Sequence, residues 1–342
     1  MKAPAKVNLC LRVQGRRDDG YHSLWTIFDA LEFGDELDFE PGGVGPARLE
    51  VCYYGEGGGS QETGSGLPLP QGEDNLVLKA ARSFAQVTGL GVSGTFSLIK
   101  RIPSGAGLGG GSSDAAAALA LLCQQHGLSL SDSRIQGAAE DLGADVPFFL
   151  HRGRAWADGR GDKIHPIQAG PVLHYLLLFP GFPCPTGEVF ARHGQGGRGG
   201  FTSVTRDLSS GADRSTFEVA AEEGRRRVDG SSDALATQAF LEHLENSRDQ
   251  GAWTVGFFND LEPAAFEARP VLGTLCELLD QEGFPRFCLS GSGSTLFVAS
   301  PSEDSVRELE GALARVLRSA SLAKITEGAR LIRTRSLLVP DR

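Results

Sequence analysis

The sequence predicts a protein of mixed helices and strands that begins with an antiparallel pair of strands rather than a doubly wound parallel sheet. Between residues 7 and 13, apolar side chains alternate with Asn8, Cys10 and Arg12, and this period of two is typical of a strand with one buried face. Residues 14–20 have the composition of a turn that ends in Asp-Gly, and strand-like sequence resumes over residues 21–39. A strand, a turn and a second strand in succession favour an antiparallel start.

Helices and further strands follow along the chain. Helical patterns are predicted at residues 75–87, 115–123, 132–142, 234–246 and 270–282. Further strands are predicted at residues 95–100 and 174–179, and within a strand–turn–strand pattern at 287–300. Asp74 is the expected N-cap of the first helix, and Ser112, Ser113 and Asp114 are expected to cap the second.

The composition indicates a folded, acidic protein of two domains. At about 150 residues per domain, a chain of 342 residues predicts two. A shift in composition near residues 166–171 places the boundary between domains of residues 1–165 and 166–342. The Gly/Arg/Ser-rich stretch at about 191–232 predicts a flexible insertion, and the glycine-rich residues 55–66 predict a surface loop. The net charge of -10 argues against nucleic acid or an anionic membrane as a partner.

Targeting and metal-binding patterns are not found in the sequence. The longest apolar stretch has nine residues, 115–123, whereas a membrane helix needs about 20. The six cysteines form no C-x-x-C pair and are expected to be free thiols in a reducing compartment. The seven histidines show no zinc-binding spacing, so we expect no protein-built metal site. These features favour a soluble, cytoplasmic protein with no membrane partner.

The glycine cluster at residues 105–111 predicts an anion-binding loop. Five of these seven residues are glycine, which lets the backbone approach a ligand closely and direct N–H groups toward it. The helical run that follows would begin with unpaired N–H donors and a partial positive charge, both of which favour phosphate. An ordinary glycine-rich turn before a capped helix is the plainer alternative, but five glycines exceed what such a turn needs.

A dinucleotide-binding fold is a poor explanation of this loop, although Gly105, Gly107 and Gly110 satisfy G-x-G-x-x-G. That fold needs a second parallel strand after the helix, whereas here a second helical pattern follows. The sequence contains no G-K-S/T, which excludes a Walker P-loop. The loop therefore predicts phosphate binding in another architecture.

Five groups of motifs in the sequence resemble those of a known family. The segment IPSGAGLGGGSSDAAAAL resembles the ATP-binding loop of the GHMP kinases, and its GGGSSDAA form is characteristic of the 4-diphosphocytidyl-2-C-methyl-D-erythritol kinases. Four further groups of motifs agree in order and spacing: PAKVNL with GRRDDGYHSL, LGADVPFFL, GRGDKIHPI with PTGEVF, and LSGSGSTLFV. The resemblance covers most of the chain except residues 55–72, 191–232 and the last 20.

The resemblance implies an α+β fold with an N-terminal domain like ribosomal protein S5, a C-terminal ferredoxin-like domain and an active site between them. It implies ATP-dependent phosphorylation of the tertiary 2-hydroxyl of 4-(cytidine 5'-diphospho)-2-C-methyl-D-erythritol, in the non-mevalonate pathway to isoprenoids. The implied partner is thus a small molecule, a cytidine diphosphate-linked polyol, and the implied state is a monomer or homodimer. Mg²⁺ is expected to arrive with ATP.

The same resemblance assigns roles to individual residues. Asp145 is implied to be the catalytic base and Lys6 its partner, whereas without the family Asp145 could be a helix cap and Lys6 a solvated residue at a strand end. Asn8 follows Lys6 by two positions, shares its strand face and is expected near the substrate hydroxyl. Residues implied to bind ATP are Pro103, Ser104, Gly105, Ala106, Gly107, Leu108, Gly109, Gly110, Gly111, Ser112 and Ser113.

The resemblance implies substrate-binding residues in both halves of the chain. Tyr21 and His22 match the pair that receives the cytidine base, and Phe190 matches a second aromatic wall. The second glycine cluster is implied to close over the substrate through Ser290, Gly291, Ser292 and Gly293. Two alternatives remain open: another GHMP kinase, for mevalonate- or homoserine-type substrates, and a catalytically silent nucleic-acid-binding protein.

Overall fold

Two β-sheets form the framework of the protein. The computed structural model describes residues 1–54, 60–61, 72–151, 153–168, 170–195, 237–238, 240–242, 244, 257–318 and 326–337. Its strands are β1 (Lys2–Arg16), β2 (His22–Pro41), β3 (Arg48–Tyr54), β4 (Ser60–Gln61), β5 (Gly94–Lys100), β6 (Arg154–Asp158), β7 (Lys163–Ile167), β8 (His174–Phe179), β9 (Phe258–Asn259), β10 (Cys288–Leu289), β11 (Leu296–Ser300) and β12 (Arg330–Arg335).

The helices of the described residues pack on the outer faces of these sheets. They are α1 (Leu76–Thr88), α2 (Gly110–His126), α3 (Ser133–Leu142), α4 (Val146–His151), α5 (Thr186–Gln195), α6 (Glu262–Ala268), α7 (Pro270–Gln281) and α8 (Glu303–Leu317). The first four share a core with β2 and β5, and α6, α7 and α8 share a core with β8 and β11. The separate antiparallel pairs and helical layers confirm the predicted α+β class.

The first sheet has the strand order β4-β3-β5-β2-β1-β9, with β6 paired to β2 and β7 to β6. β1 and β2 are antiparallel over their length, which confirms the predicted start of the fold. β9 comes from the second half of the chain, yet it pairs with β1 in parallel. The division into residues 1–165 and 166–342 stays a prediction; it falls inside β7, and the first sheet takes a strand from beyond it.

The second sheet has the order β10-β11-β8-β12, and all its pairs are antiparallel. In β8, Tyr175 and Leu177 lie in the core between the two sheets, whereas Leu176 and Leu178 lie in the core with the helices. β8 is therefore a continuous apolar run, because both of its faces are buried. β1 is buried on both faces too, unlike the single buried face that its alternation predicts.

Several local predictions need correction. The N-cap of α1 is Asn75, whose side chain accepts from the N–H of Val77, and not Asp74. α2 begins earlier than expected: Gly109 is its N-cap, with a φ of 71°, and no side chain caps it. Ser112, Ser113 and Asp114 lie inside the helix, so the predicted capping role is wrong.

The two segments predicted as flexible are described only in part. Ser60 and Gln61, inside the predicted loop 55–66, pair with β3 as the short strand β4. α5 continues past residue 191 to Gln195, and residues 196–236 lie outside the described part of the chain. The helix predicted at 234–246 is described only at residues 237–238, 240–242 and 244, all of which are helical.

A buried hydrogen-bond network joins the two sheets. The carboxylate of Asp29, on β2, accepts bonds from Arg154 Nη2 at 2.8 Å, Tyr175 Oη at 2.5 Å and Ser336 Oγ at 2.7 Å. Arg154 belongs to the first sheet and Tyr175 to the second, while Ser336 directly follows β12. Because Asp29 is 1% exposed, each lost donor leaves a desolvated charge less compensated.

We therefore expect Tyr175→Phe to lower the free energy of unfolding by about 1.5–3 kcal/mol, the usual range for a hydrogen bond to a charged group. Urea unfolding, followed by circular dichroism, measures the change. Tyr54→Phe is the matched control, because Tyr54 is 51% exposed and its ring is retained. Equal stability of the two variants would show that the Tyr175 hydroxyl does not support the contact between the sheets.

Candidate active site

Lys6 and Asp145 meet at the junction of β1 and α4. Ala5, Val7 and Leu9 face the core between the sheets, so alternation places Lys6 and Asn8 on the opposite face of β1. Asp145 directly precedes α4, and its Oδ2 lies 3.5 Å from Lys6 Nζ. The Lys6 side chain is only 5% exposed, whereas that of Asp145 is 32% exposed. The pair thus combines a buried cation with a carboxylate that solvent, or a substrate, can reach.

Asn8 fixes the position of the Lys6 ammonium group. Lys6 Nζ donates to Asn8 Oδ1 at 2.6 Å, and Asn8 Nδ2 donates to Thr26 Oγ1 at 2.8 Å. Thr26 Oγ1 in turn donates to the carbonyl of Cys10 at 2.7 Å, so the chain of bonds ends on the backbone of β1. Lys6 Nζ also lies 5.3 Å from the centre of the Phe28 ring. These contacts hold the cation in one place while one face remains directed toward Asp145.

The predicted phosphate loop lies immediately beside Lys6. Gly105, Gly107 and Gly109 have φ angles of 69°, 76° and 71°. Residues other than glycine are strained in this left-handed region. Ala106 and Leu108, between them, are buried, so the apolar residues turn inward and the glycine backbone stays nearer the surface. The carbonyl of Leu108 accepts from the N–H of Lys6 at 3.0 Å, which ties the loop to β1.

The start of α2 completes this loop. Gly109 offers no side-chain acceptor to the first N–H groups of the helix, which is an arrangement that favours an anion. Pro103 is buried and Ser104 half-buried at the entry of the loop. Ser113 differs from the other predicted ATP-binding residues, because its N–H donates to the carbonyl of Gly109 and its side chain is buried. Contact of Ser113 with a nucleotide stays a prediction.

The second glycine cluster packs against the first. Ser290 Oγ donates to the carbonyl of Gly107 at 3.0 Å, and a Cβ atom at Gly107 would lie 2.1 Å from the carbonyl oxygen of Ser290. A Cβ atom at Gly291 would lie 3.3 Å from Lys6 Nζ and 3.4 Å from Asn8 Oδ1. Ser292 Oγ lies 2.8 Å from Thr186 Oγ1. The structure thus brings Ser290, Gly291 and Gly293 to the loop and to Lys6.

Asn259 holds the second cluster and is a residue that the sequence analysis missed. Its Nδ2 donates to the carbonyls of Leu289 at 2.8 Å and Gly291 at 2.7 Å. The residue is 6% exposed and lies on β9, beside β1. The only signal in the sequence is a polar pair, Asn259 and Asp260, directly after the aromatic pair at 257–258.

A buried charge cluster beneath the phosphate loop was also missed. Lys100 Nζ donates to Asp114 Oδ2 at 2.7 Å and to Asp35, and all three side chains are less than 5% exposed. Asp35 also accepts from the N–H of Ile102 at 2.8 Å. A Cβ atom at Gly110 would lie 2.9 Å from Lys100 Nζ, so the cluster lies directly under the start of α2. Asp114 is thus an ion-pair partner inside the helix and not a cap.

The pKa of Asp114 reflects its burial. Burial is the main cause that raises this pKa to about 7; Lys100 opposes the rise, and the negative charge of Asp35 adds to it. Burial lowers the pKa of Lys100, but the charges of Asp114 and Asp35 outweigh this effect and raise it above its ordinary value. One lysine between two carboxylates leaves an excess negative charge, which protonation of Asp114 removes.

The predicted cytidine residues are only partly brought together. The rings of His22 and Phe190 stack with centroids 5.4 Å apart, and His193 lies at 6.3 Å from His22. Burial, then the charges of His193 and Arg16, lower the pKa of His22, which keeps its imidazole neutral at pH 7. Tyr21 is 58% exposed, and its ring lies under the guanidinium of Arg160. A base cannot enter between His22 and Phe190 in this arrangement, whereas the Tyr21 ring is accessible.

Comparison with known proteins gives the relationship. Residues 75–153 match the GHMP kinases N terminal domain, and residues 235–319 match GHMP kinases C terminal. The 4-diphosphocytidyl-2-C-methyl-D-erythritol kinase of Alcanivorax borkumensis is 38% identical over 71% of this chain and 72% of its own. That of Syntrophus aciditrophicus is 32% identical over 92% and 94%. The chain belongs to this kinase family.

Solved structures agree with this assignment. A crystal structure of 4-(cytidine 5'-diphospho)-2C-methyl-D-erythritol kinase matches with a TM-score of 0.63 and 30% identity, covering 98% of this chain and 99% of that one. A homoserine kinase from Cytophaga hutchinsonii matches with a TM-score of 0.61 at 17% identity, covering 99% and 96%, which shows the fold alone. The two-domain GHMP kinase fold and the class of small-molecule kinase are thereby confirmed.

Two further properties concern only the described residues. In that part of the chain, no helix has both the length and the apolar character needed to span a membrane. Nor does any group of three or more His, Cys, Asp or Glu side chains in the described ranges have the geometry to hold a metal ion.

The raised pKa of Asp114 predicts a specific dependence of stability on pH. The folded protein binds a proton at Asp114 more tightly than the unfolded chain, whose Asp pKa is about 3.9, so this group's contribution to stability falls as pH rises from about 4 to 7. Asp114→Asn removes the titration. We expect the unfolding free energy of the wild type, minus that of the variant, to fall by about 1 kcal/mol or more between pH 5 and 8.

Asp280→Asn is the control for that comparison, because Asp280 is exposed on α7. Urea titrations at each pH give the free energies. A wild-type advantage that grows with pH would mean that the ion pair with Lys100, and not burial, dominates the titration of Asp114.

Proposed function

We propose that this kinase transfers the γ-phosphoryl group of ATP to the 2-hydroxyl of 4-(cytidine 5'-diphospho)-2-C-methyl-D-erythritol. The observation that carries the proposal is the Lys6–Asp145 pair, 3.5 Å apart, at the point where the two glycine clusters meet. Membership of the family whose relatives are named for this substrate supports the choice of acceptor. The reaction belongs to the non-mevalonate pathway to isoprenoids.

The geometry suits removal of a proton from an alcohol. Asp145 is the accessible member of the pair, so its carboxylate can accept the hydroxyl proton when the acceptor lies over the phosphate loop. Lys6 is a buried cation held by Asn8, and its charge stabilises the negative charge of the transferring phosphoryl group. Because Asn8 already occupies one Lys6 proton, the remaining donors are directed to Asp145 and the reacting groups.

ATP is held by the loop of residues 103–112 and the start of α2. The N–H groups at the start of α2 favour the phosphates, while the glycines allow the close approach that a phosphate needs. Mg²⁺ supplies charge neutralisation on the phosphates when it is bound. The metal would arrive with the nucleotide, on phosphates that the start of α2 would hold, where Gly109 provides no side-chain cap.

The cytidine end of the substrate is assigned to Tyr21, His22 and Phe190. A neutral His22 can donate one hydrogen bond and accept another, which suits the polar edge of a cytosine ring. The exposed Tyr21 ring supplies a stacking surface. Ser290, Gly291, Ser292 and Gly293 close over the polyol from the second sheet.

The cellular setting belongs to the same proposal. All six cysteines are free thiols, and four of them are buried in apolar cores, Cys10, Cys123, Cys184 and Cys288, which suits a reducing cytoplasm. The protein acts on its small-molecule substrates as a monomer or homodimer, without nucleic acid.

A coupled assay of ADP release tests the substrate. The three acceptors are the cytidine diphosphate-linked polyol, mevalonate and homoserine, because kinases of the last two substrates share this fold. Turnover of the cytidyl substrate, with competitive inhibition by CDP, supports the proposal. Preference for mevalonate or homoserine would assign the chain another acceptor, and tight RNA binding without ADP release would favour the nucleic-acid alternative.

For the chemical step, we expect Asp145→Asn to lower kcat about 10²–10⁴-fold, the usual contribution of a general base. The amide keeps the shape of the side chain but cannot take the alcohol proton. Steady-state kinetics measure kcat, and isothermal titration measures binding of ATP and the cytidyl substrate, which should change little.

Asp141→Asn is the matched control, since Asp141 is exposed on α3, four residues earlier. Lys6→Ala should also lower kcat, and the double variant should be much less than multiplicatively worse if the two groups act as a unit. An Asp145→Asn enzyme within a few-fold of the wild type would exclude Asp145 as the base, and catalysis would then rest on positioning and charge alone.

A further inference from the structure

Tyr21, His22 and Phe190 form the proposed base-binding surface. Arg160 lies beside this surface but takes no part in the proposed phosphoryl transfer. It belongs to the loop between β6 and β7, and its guanidinium carbon lies 5.2 Å from the centre of the Tyr21 ring. A guanidinium at this distance is attracted to the face of an aromatic ring. One face of Tyr21 is therefore occupied by a residue of this chain, and the other is available.

The position of Arg160 is itself fixed by Asp162. Arg160 Nε donates to Asp162 Oδ2 at 2.8 Å, and the Arg160 N–H donates to Asp162 Oδ1 at 3.0 Å. These bonds lower the pKa of Asp162 despite burial, which raises it, so the carboxylate remains ionised at neutral pH. The guanidinium is thus oriented by a charged partner inside its own loop.

The loop and the Tyr21 backbone are both attached to the framework. The carbonyl of Gly159 accepts from the N–H of Leu24, on β2, at 2.8 Å. The Tyr21 N–H donates to Asp19 Oδ1 at 3.0 Å, and its carbonyl accepts from the N–H of Arg17 at 2.7 Å. With both backbones held, the stack between Arg160 and Tyr21 restricts the one group that is still free to rotate, the Tyr21 ring.

We propose that Arg160, oriented by Asp162, is a positioning residue that holds the Tyr21 ring with its open face toward the cytosine base. The inference rests on the proposed function. An exposed side chain that must be ordered on binding costs affinity, and fixing it beforehand removes that cost. The stack of His22 on Phe190 leaves Tyr21 as the accessible aromatic surface, so its orientation matters for recognition.

The test compares Arg160→Ala with Tyr21→Ala and with the double variant. We expect Arg160→Ala to raise the KM of the cytidyl substrate and the Kd of CDP about three- to tenfold, the range for ordering one side chain. Both kcat and the KM of ATP should stay unchanged, because neither depends on the Tyr21 ring. Since Arg160 acts through Tyr21, the double variant should bind CDP no more weakly than Tyr21→Ala alone.

Two further variants separate positioning from loss of structure. Arg160→Lys keeps a cation near the ring but loses the guanidinium that bonds to Asp162. It should bind CDP more tightly than Arg160→Ala but less tightly than the wild type. Arg134→Ala is the matched control: Arg134 bonds to Asp132 through its Nε and its N–H, at 3.1 and 2.9 Å, on an exposed surface at α3. This control should leave every constant unchanged.

Each result is decisive. If the increases in the Kd of CDP caused by Arg160→Ala and Tyr21→Ala multiply in the double variant, Arg160 contacts the substrate independently of Tyr21. The positioning role would then be wrong. If the wild type binds CDP and Arg160→Ala does not weaken that binding, Arg160 has no positioning role, but the proposed function remains intact. A wild type that neither binds CDP nor phosphorylates the cytidyl substrate would overturn the proposed function itself, and the inference with it.

Discussion

The close approach of Gly107 to Ser290 is the constraint on which the site depends. A Cβ atom at Gly107 would lie 2.1 Å from the Ser290 carbonyl oxygen, so only glycine lets the two turns meet. This contact places Gly291 against Lys6 and Asn8. Asn259 strengthens it from β9, the strand that the second half of the chain contributes to the first sheet. Neither sheet alone therefore contains the whole site.

The buried charges have two different arrangements, and the difference suits their roles. Lys100 lies between two carboxylates, and Asp29 accepts three hydrogen bonds, so both are compensated within the fold. Lys6 is equally buried, but its carboxylate partner Asp145 lies 3.5 Å away and is partly exposed. A buried cation with a distant partner retains more of its attraction for an incoming anion. Lys6 is thus suited to a phosphate, whereas Lys100 supports the loop.

Local features of the fold could be predicted from the sequence, and long-range contacts could not. The alternation of residues 7–13 predicts β1, and the helical pattern at 132–142 predicts α3, because both signals lie within a few neighbouring residues. Asp114 looked like a cap because its ion-pair partner, Lys100, lies on another element. Arg160 and Asn259 were missed for the same reason: each acts on residues more than 30 positions away or on a different strand. The family motifs found Lys6 and Asp145, which spacing alone could not bring together across 139 positions.

The charge distribution reconciles an acidic protein with two anionic substrates. The net charge of -10 gives the whole molecule a field that repels nucleotides. Near the proposed base-binding surface, however, Arg16 pairs across from His22, Arg160 covers Tyr21, and Arg192 lies on the helix that carries Phe190. Lys6 and the start of α2 add positive charge at the phosphate end. Arg160 and Arg192 are paired with Asp162 and Glu188, so the uncompensated positive charge is concentrated at the phosphate end. Fields from exposed charges fall off within about 10 Å at 0.1 M salt, so the distant acidic surface contributes little there. Lys6 and the start of α2 can therefore attract phosphate groups although the protein as a whole is acidic.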